Sequence, residues 1–332
     1  MKKVAIIGAG LAGLTLADHI ADFAEVTLFE KFYQVSGRMA TRHQSPFVFD
    51  HGAQFFTVKY PEFDAFVQQL KQAGVANLWH ANFVEIDGTQ VKKSRHWDDA
   101  YPHYVGVPEM SSIGLFMYAQ LLQRQVSVHL NTQVARIEKS LNLWQLEDAN
   151  QASLGAYDWV ITAIPAAQAT NLMPANFAHY HTIKNIEMQP CYTLLLGFDR
   201  PLNINWNAAH VTNSIISWIS VNSSKPARNS EFSLVVMSSN QWAFEHFNQT
   251  QQWVTDALMT ALLGVLGEQV LQASTLHLKK WHYANTQKQM LDEVLLDAEQ
   301  QLACCGDWCI SGRVENAFMS AKQMGECLKR YL

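Results

Sequence analysis

Val4-Ala5-Ile6-Ile7 is a short unbroken apolar run, the pattern of a strand covered on both faces. Leu11, Leu14, Leu16 and Ile20 then recur at helical spacing, and Glu25-Val26-Thr27-Leu28-Phe29-Glu30 reads as a second strand. Strand, helix and strand within about 30 residues predict a βαβ unit. Residues 126–130 and 133–137 alternate as strands, and residues 157–165 predict a strand running into a turn. The middle of the chain differs. Residues 191–198 and 232–237 are strand-like runs, which predict a mainly antiparallel sheet with a helix over Gln251–Leu266 packed on it. The Ser/Asn-rich stretch 220–230 reads as a surface loop. Ser111 or Ser112 stands where it would cap a helix, and Phe318, Met324 and Leu328 share one face of a last helix that ends near Leu328.

The turn after the first strand carries candidate chemistry. Gly8 permits a tight turn, Gly10 lets the backbone approach a pyrophosphate, and Gly13 lets the helix pack on the strand. The N–H groups of Leu11 and Ala12 at the helix start then face phosphate oxygens. Glu30, followed by Lys31, lies about 20 residues beyond Gly10, where an acid hydrogen-bonds a ribose hydroxyl. An export signal is the competing reading of a chain that begins Met1-Lys2-Lys3. Three glycines interrupt its apolar body, however, and Asp18, His19 and Asp22 follow. The pattern predicts an α/β fold with a Rossmann-like dinucleotide-binding domain.

Three further segments narrow the reading: Ser36-Gly37-Arg38-Met39-Ala40-Thr41-Arg42, Phe49-Asp50-His51-Gly52-Ala53-Gln54-Phe55-Phe56, and Gly106-Val107-Pro108-Glu109-Met110-Ser111-Ser112-Ile113. Together they resemble the flavin-containing amine oxidase superfamily, and within it the renalases, especially the bacterial ones. The resemblance implies FAD as cofactor. It puts Gly37, Arg38 and Met39 near the pyrophosphate, with Ser36 standing where the superfamily has a glycine. It runs Gly52, Ala53, Gln54 and Phe55 beside the isoalloxazine ring and brings the Val134 backbone to adenine. Gly306 and Asp307 would bind the ribityl or phosphate region, and Val314, Glu315, Asn316 and Ala317 would open the last helix against the flavin. A helix N-terminus there would favour the negative charge of reduced flavin by about 1 kcal/mol. No cysteine stands at the tail position that carries covalent flavin in monoamine oxidases, so non-covalent FAD is expected. Phe55, Tyr192, Trp281, His282 and Tyr283 are the expected substrate contacts.

Composition excludes more than it proposes. The chain has 332 residues, 48% hydrophobic and 16% charged, enough to bury a large core and too apolar for disorder. A net charge of -5 gives no reason to expect nucleic acid, and no apolar run reaches the roughly 18 residues of a membrane span. The five cysteines are odd in number, and Cys304, Cys305 and Cys309 crowd together, which favours reduced thiols and a cytoplasmic protein. Those three invite a metal, but no matching pair stands elsewhere, so none is expected. No HExxH, nucleophile elbow or catalytic triad is legible, and no catalytic acid or base is assigned.

These readings divide the chain into a discontinuous FAD-binding domain (1–60, 104–165 and 285–332) and an aromatic-rich substrate domain (61–103 and 166–284). The resemblance implies an oxidase that accepts hydride from 2- and 6-dihydro-NAD(P), returns β-NAD(P)+ and is reoxidised by dioxygen to hydrogen peroxide. Hydride transfer between two flat rings needs orientation and a dry site, with no side-chain base. A flavin amine oxidase and a flavin-binding module without turnover are the alternatives.

Overall fold

The computed structural model describes residues 1–286, 291 and 294–332, and two large sheets organise it. The six-stranded sheet runs in the order Leu296–Asp297, Leu302–Cys304, Trp159–Thr162, Lys2–Ile7, Ala24–Phe29, Ser127–His129. It is parallel except at the Leu296–Asp297 edge. Its central strands are apolar on both faces because both faces are covered. Leu11–Ile20 packs against Val314–Leu328 and Ser112–Gln123 on one side. On the other, Ala5, Ile7, Phe29 and Val160 meet the small sheet of Val134–Ser140, Leu143–Asp148 and Ser153–Tyr157. The predicted βαβ unit is therefore present, with its second strand at Ala24–Phe29.

The seven-stranded sheet runs Thr275–Thr286, Met188–Phe198, Phe232–Ser238, Ile216–Val221, Ala208–Thr212, Ala81–Asp87, Gln90–Trp97. Every neighbouring pair is antiparallel except Ala208–Thr212 with Ala81–Asp87. The helix Gln251–Leu266 covers one face through Val254, Leu258 and Leu262. Thr250 accepts a hydrogen bond from the Trp253 N–H at its start, and Gly267, at φ 74°, ends it. Along Met188–Phe198 the side chains alternate: Tyr192, Leu194, Leu196 and Phe198 join that helix-side core, while Leu195 packs with Phe47, Phe49 and Val235 on the opposite face.

The stretch 220–230 departs from the sequence expectation. It is not an open surface loop: Asn222 and Lys225 are buried, and the Arg228 side chain is 1% exposed. Its polar residues close inward on Asp50, an ionic partner about 175 residues earlier that no local pattern reveals. The cap expected near residue 111 also differs. Ser111 stands at the N-cap of Ser112–Gln123, but its hydroxyl bonds Glu109 instead of capping the helix.

Candidate functional site

A cavity of about 1490 Å³ lies between the two sheets. The strand Lys2–Ile7 ends at Gly8, whose φ of 106° suits glycine, and whose missing Cβ would stand 2.8 Å from the Ala163 carbonyl oxygen. Gly10 is the N-cap of Leu11–Ile20 and has no side chain to cap it. A Cβ added there would meet nothing nearer than the Gly37 Cα at 3.9 Å, so it would stand in the cavity. Uncapped N–H groups at Leu11 and Ala12 and a glycine that leaves room beside them suit a pyrophosphate. Gly13 lies outside the cavity wall, and a Cβ there would come 1.9 Å from the Gly8 carbonyl oxygen, so its place is in the packing of helix on strand.

Glu30 lines the same end. Its carboxylate accepts from the Ala9 N–H at 2.9 Å and the Phe32 N–H at 3.0 Å, which fixes it in place and leaves lone pairs for a ribose hydroxyl. Lys31, Gly37, Met39 and Val134 line the wall around it. Arg38 grips Asp307 with both guanidinium nitrogens, one at 2.8 Å, and so ties the 36–42 turn to the Gly306 turn. At the start of Val314–Leu328, Val314, Glu315 and Ala317 face the cavity, with no side chain capping the helix. Glu315 is held by the Lys59 and Tyr60 N–H groups at 2.6 and 2.8 Å. Asn316 turns away and donates to the Ser311 carbonyl and hydroxyl, both at 2.7 Å. The wall thus presents an uncapped helix start, an anchored acid and a paired arginine, a donor set that fits FAD.

The other end is made by side chains from distant segments. His51 and Trp281 stack with ring centroids 5.2 Å apart, and the Trp281 indole N–H donates to the His51 carbonyl at 2.9 Å. Gly52 permits this: a Cβ there would come 2.0 Å from the Arg38 carbonyl oxygen and 3.5 Å from Trp281. Ala53 follows on the wall, and Phe55 faces the cavity with its back in a box of Trp97, His103 and Trp218. His282 and Tyr283 lie at the rim, His282 with its ring edge-on to Phe247. Tyr192 does not reach the cavity. It belongs to the helix-side core, and its hydroxyl donates to the His246 and Phe247 carbonyls. Strand alternation puts Cys191 on the cavity wall in its place.

Gln54 also turns away from the cavity. Its amide donates to the Asp50 and Gly52 carbonyls at 2.5 and 3.0 Å, and its oxygen accepts from Ser220 at 2.7 Å and Lys225 at 3.2 Å. Local sequence gave no sign of this, because the partners lie far along the chain.

The sequence reading missed His51, Arg42, Lys279 and Lys280, all on the wall. Burial, with Lys279 and Arg42 nearby, pulls His51 down to about 4, so its ring is neutral near pH 7, and its buried Nδ1 has no hydrogen-bond partner among the described residues. Burial, then Arg42 and Lys31, lowers Lys279 as well. His282 is lowered by burial and by Lys280, Lys279 and Lys31. These shifts mark a cluster of like charges. Among the described residues, Lys31, Arg42, Lys279 and Lys280 make no ion pair. The signal that would have found Lys279 and Lys280 is the run Lys279-Lys280-Trp281-His282, with its charges read as part of the site.

A family model described as flavin containing amine oxidoreductase matches residues 111–327, and one for an NAD(P)-binding Rossmann-like domain matches residues 6–70. Among solved structures, a triple mutant of putrescine oxidase is 10% identical, with a TM-score of 0.74 over 100% of this chain and 99% of its own. A cyclohexylamine oxidase from Brevibacterium oxydans is 12% identical, with a TM-score of 0.72 over 99% of both chains. An oxidoreductase from Methanosarcina mazei is 12% identical, with a TM-score of 0.71 over 98% of this chain and 100% of its own. At these identities the likeness is one of fold. Among the described residues no helix is long and apolar enough to cross a membrane.

Proposed function

The chain belongs to the flavin containing amine oxidoreductase family, and from that premise we propose that it is an FAD-dependent oxidase of dihydronicotinamide dinucleotides, similar to the bacterial renalases. Its substrates are the 2- and 6-dihydro isomers of NAD(P)H, its products β-NAD(P)+ and hydrogen peroxide. One observation carries this choice over an amine: the charge of the wall. The three carboxylates on the wall among the described residues are all engaged, Glu30 and Glu315 by backbone N–H groups and Asp307 by Arg38. Lys31, Arg42 and Lys279 line the cavity without an acidic partner among the described residues, while the Lys280 ammonium is turned onto the Phe247 ring and carbonyl. A cationic amine entering here meets like charge, whereas a dinucleotide brings phosphates to it.

Bound FAD supplies the hydride acceptor and the route of electrons to dioxygen. Leu11 and Ala12 N–H groups, with Arg38, would hold its pyrophosphate. Glu30 would hold a ribose, the Val134 backbone would meet adenine, and Asp307 and the start of Val314–Leu328 would take the flavin end. Attachment is non-covalent: Cys191 is the cysteine on the described wall, and burial pushes its thiol up to about 11 while it donates to the Tyr192 and Ser238 carbonyls.

The chain's work on the substrate is orientation. Trp281, His51 and Phe55 give flat walls that exclude water, and Lys279 and Arg42 draw the phosphates. A dihydropyridine ring expels hydride with electrons from its own nitrogen, so no side chain removes a proton. A neutral His51 and a protonated Cys191 are consistent with that. Anaerobic mixing of the FAD-loaded protein with 6-dihydro-NAD, putrescine and cyclohexylamine separately is the test. Rapid bleaching by the dihydropyridine alone is expected, and bleaching by an amine alone would overturn the reading.

A further inference from the structure

Behind the cavity wall lies an ionic cluster that touches neither the cavity nor solvent. Asp50 and the side chains of Lys225 and Arg228 are at most 1% exposed. Asp50 Oδ2 accepts from Lys225 at 3.0 Å and from Arg228 at 2.6 Å, and Oδ1 accepts from the Thr41 hydroxyl and the Met110 N–H, both at 2.9 Å. Two cations face one carboxylate. The excess charge is spread over amide oxygens: the Lys225 ammonium donates also to Asn222 Oδ1 at 3.0 Å and Gln54 Oε1 at 3.2 Å. Trp79 adds its ring face 5.5 Å from the Lys225 nitrogen. Arg228 spends its remaining contacts on the Gly106, Pro108 and Pro226 carbonyls, and on that turn Glu109 pairs with His43 at 2.8 Å.

Burying two cations for stability alone is a poor use of them, because desolvation offsets most of the attraction. The arrangement of Gln54 gives them another use. Its amide donates backwards to the Asp50 and Gly52 carbonyls, and its one oxygen is held by Lys225 and Ser220. The chain from ammonium to amide to carbonyl ends on Gly52, the residue that brings the backbone against Arg38 and Trp281.

We propose that Lys225 is a positioning residue: through Gln54, its ammonium holds the backbone of residues 50–54 in the pose that forms the cavity wall against a bound FAD. This rests on the reading of Gly52 and Ala53 as cofactor wall. It holds for either substrate class. The ammonium supplies three donors to three acceptors, and a neutral amine has only two hydrogens to donate. Burial lowers Lys225 to about 8, with Asp50 opposing and Arg228 reinforcing the fall, so the link weakens near that pH.

The test compares Lys225→Met, Arg228→Met and the wild type as full chains, by FAD titration of apoprotein and by the bound-flavin absorption spectrum from pH 7 to pH 9. Lys225→Met leaves Asp50 balanced by Arg228. It is expected to bind FAD on the order of ten-fold more weakly, equivalent to about 1.4 kcal/mol, and to lose a spectral change that the wild type shows with a midpoint near 8. Arg228→Met breaks the same cluster without touching Gln54 and, followed to pH 10, is expected to keep that spectral change with its midpoint moved upward, because a cation that lowers Lys225 is gone. Gln54→Met, which spares the ion pairs, is expected to match Lys225→Met and stands in should that variant not fold. Wild-type affinity and an unchanged pH response in Lys225→Met or Gln54→Met overturn the proposal alone. A wild type that takes up no FAD overturns it together with the cofactor reading.

Discussion

The two ends of the cavity are built from different atoms. At the end beside Gly8, recognition is by backbone: a tight turn, an uncapped helix start and an acid held by two N–H groups. At the end beside Trp281 it is by side chains from residues 42–55 and 279–283, braced behind by residues 220–228. Backbone recognition needs only a few glycines within one βαβ unit. Side-chain recognition needs segments over 200 residues apart to arrive in register, so its charges and rings answer to the fold as a whole. Damage at the first end should therefore be all-or-none, and damage at the second graded and sensitive to pH and salt.

The sharpest break comes from two neighbouring glycines. Gly13→Ala forces a methyl group 1.9 Å from the Gly8 carbonyl oxygen, and a loss of about 3 kcal/mol or failure to fold is expected by denaturant titration. A Cβ at Gly10 meets open cavity instead, so Gly10→Val is expected to leave the apoprotein's melting temperature nearly unchanged while FAD uptake disappears. Equal destabilisation by both would erase the distinction drawn here.

Asp50→Asn strands two buried cations, which should cost roughly 3–5 kcal/mol of stability. Burial by itself would raise this carboxyl, but Lys225 and Arg228 outweigh it and hold it below the usual carboxylate range. A depressed acid contributes stability above its unfolded value near 4 and loses it as pH falls toward the folded one. The wild type should therefore lose more stability than Asp50→Asn between about pH 5 and pH 2.

Lys225 has the opposite sign. Its folded value of about 8 lies below the ordinary 10.5, so the fold binds that proton weakly. The cost is fully present below pH 8 and is relieved as pH rises toward 10.5. Relative to Lys225→Met, the wild type should gain stability over that window, by at most on the order of 3 kcal/mol. A flat difference between the two proteins would show that this ammonium is not strained.

A smaller effect belongs to the rim. Lys279→Glu should raise KM for 6-dihydro-NAD by about ten-fold with little change in kcat, since in the proposed reading Lys279 draws phosphate and does not act on the reacting ring. Smallest of all, kcat/KM of the wild type should fall with added salt, by about two- to three-fold between 50 and 200 mM, as screening weakens the cationic rim. An unchanged KM and salt-independent kinetics would remove the argument for an anionic substrate.

How much of this was legible beforehand divides along the same line. Gly8, Gly10, Gly13 and Glu30 could be read from spacing, because one strand, one turn and one helix place them with only local rules. The helix Gln251–Leu266 was readable too, since its Thr250 cap and Gly267 stop lie within it or beside it. Tyr192 was misread because a strand shows its period but not which face will meet the cavity; the covering helix settles that. The 220–230 stretch was misread because polar residues look solvated until their partners are known, and Gln54 was expected beside the ring because its distant partners Ser220 and Lys225 leave no local sign.

The sequence by itself determined the βαβ turn, the dinucleotide-binding unit it belongs to, and the strand-rich character of the middle, all consequences of periodicities that act over a few residues. Only the tertiary structure decided which side chains face the cavity, that its rim is cationic, and that Asp50, Lys225 and Arg228 share one dry pocket. Charges and strand faces acquire their meaning from neighbours across space, and long-range pairing is what a linear pattern does not encode.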